Sequence, residues 1–131
     1  MKNKNIILTG SEGLLGHSYK KFAEKKGHKV FCIDIANIKR KNYFKCNIIN
    51  EDEVKKTIGE ITKKNKIDVL INNAAFNPKA ENKLKSFKFS SYDYEKWKKN
   101  IEVDLYGSFL VSKYALRYFE KVNSGNIINI S

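Results

Sequence analysis

At 131 residues, with 41% hydrophobic and 12% aromatic side chains, the chain is sized for one domain over 1–131 that buries roughly two-thirds of its unfolded surface, which excludes a disordered polymer. Its longest apolar runs are far too short to cross a bilayer, so no membrane partner is expected. The formal net charge of +12 invites a nucleic-acid reading, but only Arg40 and Arg117 are arginines and the lysines are scattered over every predicted helix, so the charge reads as a solvated coat with no nucleic-acid partner.

The chain enters a strand almost at once, with no signal peptide read ahead of it. Ile6, Ile7 and Leu8 form a β-branched, apolar run of the kind buried on both faces of a parallel sheet. Gly10 turns the chain, and helix one is expected from Gly13 to Lys26, with Leu15, Tyr19, Phe22 and Ala23 as its buried face and Gly27 as its stop. Strand two is Lys29–Ile33, with Asp34 at its carboxyl end. Residues 35–42 read as a loop, and Tyr43–Cys46 as a short third strand. The two cysteines, Cys32 and Cys46, fall in buried strands and make neither a metal site nor a disulfide framework, which points to a reducing cytoplasm.

Asn50 reads as an N-cap with Glu53 completing a capping box, and Val54, Ile58 and Ile61 face the core before Asn65 ends the helix. Strand four, Ile67–Ile71, flows into Asn72-Asn73-Ala74-Ala75. Residues 76–90 form a long irregular segment holding the only proline, Pro78. Ser90 or Ser91 is expected to cap one long helix running to about Lys121. It carries two stripes: Trp97, Ile101, Leu105, Ser108, Ser112, Leu116 and Phe119 on one, and Val103, Tyr106, Leu110, Tyr114 and Tyr118 on the other. One stripe suffices to cover a sheet, so the second is expected to meet another helix, as in a homo-oligomer joined around 95–121. Asn126–Ser131 is a fifth strand after the Ser124-Gly125 turn. This β-α-β-β-α-β-α-β order predicts a parallel sheet with right-handed crossovers and helices on both faces.

The chemistry concentrates at the first turn. Glycines at 10, 13 and 16 let backbone pass close to a bulky anion, and free N–H groups at a helix start favour negative charge, so a diphosphate is the natural guest of Gly10, Ser11, Glu12, Gly13, Leu14, Leu15 and Gly16. Asp34 lies 24 residues after Gly10, where a carboxylate can accept from both hydroxyls of an adenosine ribose. A 2′-phosphate there would meet Asp34 with a repulsion of order 4 kcal/mol at intermediate dielectric. Glu12 adds to that repulsion, and Lys39 and Arg40, whose charges would offset part of it, lie several residues on in a flexible loop. The expected cofactor is therefore NAD rather than NADP.

Thr9-Gly10-Ser11-Glu12-Gly13-Leu14-Leu15-Gly16, Asp34, Asn72-Asn73-Ala74-Ala75, the block from Trp97 through Val103-Asp104-Leu105-Tyr106-Gly107-Ser108-Phe109, and Gly125–Ser131 together resemble the amino-terminal half of a short-chain dehydrogenase/reductase. The resemblance implies a Rossmann-type three-layer α/β/α fold with strand order 3-2-1-4-5. It also implies an NAD-dependent oxidoreductase acting on a hydroxyl or carbonyl substrate. The glycine spacing is closer to the family's sugar-nucleotide-modifying branch, whereas the Asn-Asn-Ala-Ala turn and the long-helix block are closer to its compact dehydrogenase branch, and the mixture makes a sugar or sugar derivative one expected substrate class. Asn73, Ala74 and Ala75 would border the ribose, Asn47 would meet the adenine edge, and Ile48 would lie beside the ring. Asp104 stands where the family places an Asn that holds a proton-relay water. Ser131 falls one residue before the family's catalytic Ser, and the Tyr-x-x-x-Lys pair expected after strand five is not among these residues. Tyr92 with Lys96 and Tyr94 with Lys98 repeat that spacing on the wrong side of strand five and read as chance. The fragment alone is expected to bind nucleotide without turnover, or to serve as a nucleotide-binding or dimerisation module.

Overall fold

The structure is a computed structural model that describes residues 3–76 and 88–131. Pro78 and most of the expected irregular segment lie outside those residues. Five strands, β1 (Asn5–Thr9), β2 (Lys29–Asp34), β3 (Tyr43–Lys45), β4 (Val69–Asn72) and β5 (Asn126–Asn129), pair in parallel in the order 3-2-1-4-5. This is the expected Rossmann-like arrangement. β1 and β2 are central or nearly so, and Ile7, Leu8, Phe31, Cys32 and Ile33 are buried because helices cover both faces. Ile7, Phe31, Ile33 and Leu70 meet α2 (Glu51–Lys64) and α4 (Ser108–Val122) on one face. Leu8, Val30 and Cys32 meet Tyr19 and Ala23 of α1 (Leu14–Lys25) on the other.

The inward face of α1 differs from the expected one. Leu15 is 52% and Phe22 64% exposed, while Gly16 is buried and Tyr19 and Ala23 pack on the sheet. The contact stripe is therefore Gly16, Tyr19 and Ala23, and Leu15 and Phe22 each sit one residue earlier, about 100° round the helix. Space explains the rotation. A Cβ on Gly16 would run into the Gly10 carbonyl oxygen and come within 2.9 Å of Ser11 Cα, so only a glycine admits the helix this close. Gly27, with φ +82°, ends the helix as expected, its N–H donating to Glu24 O at 2.9 Å.

Asn50 caps α2, its Oδ1 accepting from Glu53 N–H at 3.1 Å. The capping box is incomplete, because the Glu53 carboxylate accepts from Asn47 N–H at 2.8 Å instead of returning to Asn50. β4 starts at Val69 rather than Ile67, whose N–H is taken by the Tyr118 hydroxyl at 3.2 Å.

The long helix also departs from expectation. Phe89–Ser91 form a 3-10 turn, and the cap is Asp93, which accepts from Lys96 N–H at 3.0 Å. α3 (Tyr94–Asn100) then widens into π-helix over Ile101–Gly107 before α4 begins. Wider turns break the 3.6-residue period, so stripes drawn through 97–119 do not stay on one face. Leu110, Val111, Ala115 and Phe119 are buried, with Val103, Tyr114 and Tyr118 against them, whereas Trp97, Ile101, Leu105 and Leu116 are exposed. Phe119 thus belongs with the second stripe, and most of the first faces outward.

Two glycine substitutions separate packing from propensity. Gly16→Ala is expected to destabilise by about 1–3 kcal/mol through overpacking. Gly59→Ala, in α2 where a Cβ meets nothing within 4 Å, is expected to stabilise by about 0.5–1 kcal/mol. Urea midpoints moving in opposite directions would confirm this account of α1, and equal shifts would refute it.

Candidate functional site

The order 3-2-1-4-5 puts β1 where the chain reverses direction across the sheet: it leaves β1 for β2 and β3, then returns to β4 on the other side. Such a switch point opens a crevice at the carboxyl ends of the strands. The turn after β1 is pinned there from both sides. On the β4 side, buried Thr9 accepts through Oγ1 from the N–H groups of Asn73 at 3.0 Å and Ala74 at 3.1 Å. Asn73 Nδ2 donates back to the carbonyls of Thr9 and Gly10, both at 3.1 Å. Gly10, with φ +65°, lies so close to this turn that a Cβ would sit 2.6 Å from Ala74 Cα. On the β2 side, Gly10 N–H donates to Ile33 O at 2.9 Å.

The far end of the turn is open. Gly13 is the exposed N-cap of α1 and offers no side chain to cap it. Among the described residues, the N–H groups of Leu14, Leu15 and Gly16 have no acceptor, and a Cβ on Gly13 would meet only Gly10 O at 3.4 Å. Uncapped donors, the positive end of a helix dipole and room for a bulky group thus coincide. Leu14, 87% exposed, borders this opening.

Asp34 stands beside it. Its Oδ2 accepts from Glu12 N–H at 2.9 Å and its Oδ1 from Ala36 N–H at 3.2 Å. Each carboxylate oxygen keeps further acceptor capacity. Glu12 turns its own carboxylate to Ser11 Oγ–H at 2.9 Å and to Arg40, whose Nη1 lies 3.3 Å from Oε2 while Nη2 bonds Oε1. Burial opposes the Glu12 charge, but the Arg40 and Ser11 hydrogen bonds outweigh it and hold its carboxyl below the usual range. The Arg40 guanidinium lies 5.0 Å from the centre of the Tyr43 ring, and the Tyr43 hydroxyl donates to Ala36 O at 2.7 Å. Burial first, then the charges of Asp34 and Glu12, push the Tyr43 phenol up to about 12.

The remaining expected residues are spread more widely. Asn47 is exposed at the end of β3, its Oδ1 accepting from Ile49 N–H at 3.3 Å. Ile48 is buried in the core, where a Cβ on Gly107 would come within 2.6 Å of its Cδ1. Ala75 is exposed after the Asn72-Asn73-Ala74 turn. Asp104, in the π-helical stretch, accepts from Phe76 N–H at 2.8 Å and so ties the chain leaving β4 to the helix. Ser131 is exposed beyond β5, away from these contacts. Thr9, Arg40 and Tyr43 join this site in addition to the residues that spacing points to. A hydroxyl residue closing a strand before glycine, and an aromatic opening the strand next to Asp34, were the available signals. No group of three or more His, Cys, Asp or Glu that could hold a metal occurs among the described residues. Nor is any described helix long and apolar enough to cross a membrane.

A glycine-lined turn at the switch point, facing an acid at the end of the second strand, is the geometry of a dinucleotide-binding α/β fold. The chain belongs to the short chain dehydrogenase family, whose model matches residues 4–131. Members are oxidoreductases that bind a nicotinamide dinucleotide. A 3-oxoacyl-[acyl-carrier-protein] reductase FabG of Aquifex aeolicus is 30% identical over 128 residues, covering 96% of this chain and 44% of the reductase. The ligand-free aldohexose dehydrogenase of Thermoplasma acidophilum superposes with a TM-score of 0.83 at 28% identity, covering 99% of this chain and 49% of that one. ElxO with NADP bound superposes with a TM-score of 0.86 at 26% identity, covering 99% and 56%. The chain spans about half the length of the curated relatives it matches.

The environment of Tyr43 has a pH signature. The folded chain holds its proton more tightly than the unfolded chain, where the ordinary value is 10.0. The resulting stability is fully present below pH 10 and is lost as pH rises toward 12. Urea melts are expected to show a steeper alkaline loss in the wild type than in Tyr43→Phe. Identical pH profiles would contradict the burial of Tyr43 beside Asp34 and Glu12.

Proposed function

We propose that residues 1–131 form one domain, the NAD-binding part of a short chain dehydrogenase. The observation that carries this reading is the Asp34 carboxylate, held by two backbone N–H groups beside an uncapped, glycine-lined helix start. The fit is specific. Gly13 offers room, and Leu14, Leu15 and Gly16 offer unpaired N–H donors, to a diphosphate, while Gly10 keeps the turn close to Ala74. Asp34 accepts from the ribose hydroxyls, while Asn73, Ala74 and Ala75 border the sugar. Asn47 meets the adenine edge with buried Ile48 behind it. Bound NAD would supply hydride exchange, and the chain's own groups bind and orient it.

NAD is favoured over NADP because Asp34 would face a 2′-phosphate with like charge, at a cost of order 4 kcal/mol at intermediate dielectric. In the whole protein the substrate is a hydroxyl or carbonyl compound. The likeness to an aldohexose dehydrogenase supports a sugar. Asp104 bonds the Phe76 amide, so we assign it to ordering the chain after β4. The proton-transfer pair of the family, a Tyr with a Lys four residues on beyond β5, is not supplied by these residues. A second reading, a nucleotide-binding module that self-associates, is supported by Trp97, Ile101, Leu105, Phe109 and Leu116, all large, apolar and exposed on one helical stretch. Both readings suit the cytoplasm.

Calorimetry is expected to show saturable NAD binding to the 131-residue chain, weakened roughly ten- to a hundredfold by Asp34→Ala through loss of charged hydrogen bonds. Turnover by this chain alone is expected to be absent. Undiminished NAD binding by Asp34→Ala, or clear dehydrogenase activity, would contradict the reading. For self-association, sedimentation is expected to show dimers or larger species that Leu105→Glu reduces; a strict monomer at all concentrations would remove that part.

A further inference from the structure

Glu12 and Arg40 form a bridge across the site that the dinucleotide reading leaves unused. Arg40 comes from the segment between β2 and β3 and returns to the glycine turn, where both guanidinium nitrogens engage the Glu12 carboxylate. The same residue, Glu12, holds Asp34 through its backbone N–H. Tyr43 closes the ring: it lies beneath Arg40 and bonds Ala36, whose N–H reaches the other oxygen of Asp34. Arg40 is therefore joined to the carboxylate assigned to the ribose through Glu12 and Tyr43, with its charge engaged by Glu12. The side chains of Glu12 and Arg40 are 14% and 31% exposed, so water and salt screen the pair only in part. A guanidinium is also the side chain best matched to a phosphate, because its fork can donate two parallel hydrogen bonds.

We propose that Glu12 selects NAD over NADP by holding Arg40 captive, so that no guanidinium is available to a phosphate on the adenosine 2′ oxygen. This rests on the dinucleotide reading above. Asp34 and Glu12 then discriminate in different ways. Asp34 repels the 2′-phosphate directly, whereas Glu12 withholds its partner. Releasing Arg40 converts a closed bridge into a phosphate-binding group without altering the Glu12 N–H that positions Asp34.

The test compares NAD and NADP binding by calorimetry for the 131-residue chain, Glu12→Gln, Glu12→Ala, and the double variant Glu12→Gln with Arg40→Ala. The wild type is expected to prefer NAD. Glu12→Gln is expected to lower the ratio Kd(NADP)/Kd(NAD) by about tenfold or more, the size of one gained charged hydrogen bond. Adding Arg40→Ala is expected to return the ratio to the wild-type value or above. Glu12→Ala should repeat the single-variant result, which keeps the test open if one variant folds poorly. An unchanged ratio in both Glu12 variants would overturn the proposal. So would a gain that survives in the double variant, since Glu12 would then act by simple repulsion. A wild type that binds neither dinucleotide would instead overturn the underlying reading.

Discussion

The carboxyl edge of this sheet depends on how closely three stretches of backbone approach. Gly10 rests on Ala74 with no room for a Cβ, and Gly16 fits beneath the Gly10 carbonyl. These contacts bring α1 onto the sheet at its first turn, so that its unpaired N–H groups emerge beside the ends of β1, β2 and β4. Any side chain at either position would lift the helix, and with it the donors. Thr9 and Asn73 then lock the arrangement with hydrogen bonds in both directions between the ends of β1 and β4. The geometry is thus a property of close-packed backbone, and the chemistry assigned to it follows from what backbone N–H groups and one carboxylate can hold.

Local electrostatics at this edge run against the charge of the whole. A chain of net charge +12 places Asp34, at the end of β2, against Glu12 of its glycine turn. Arg40 and backbone amides compensate them, and the surrounding carboxylates raise the Tyr43 phenol further above the level set by its burial. Such a mixed ring is sensitive to the number of negative charges brought to it. The basic surface elsewhere is spread over helix exteriors and takes no part in these contacts.

Much of the fold was legible because it rests on short-range rules. The runs at Ile6–Leu8 and Val30–Ile33, the Asn50 cap and the stop at Gly27 follow from local propensity, and each is found where those rules put it. The inward face of α1 was not legible, because hydrophobicity favoured Leu15 and Phe22 while steric room favoured Gly16 and Ala23. The long helix departs from its expected stripes for a related reason: a π-helical stretch over Ile101–Gly107 shifts the register, and no periodicity count anticipates it. In the candidate site, the glycines and Asp34 were readable from spacing. The Glu12–Arg40 bridge was not, because it joins residues 28 positions apart that meet only once β3 pairs beside β2.

The central claim is that the open start of α1 grips a diphosphate. An amide-resolved NMR titration of the nitrogen-labelled chain with ADP-ribose tests it most directly. The account predicts that the unpaired N–H resonances of Leu14, Leu15 and Gly16 shift most, saturating together with those of their neighbours Gly13 and Glu12. Saturable binding that leaves these five amides unmoved while resonances elsewhere shift would contradict it.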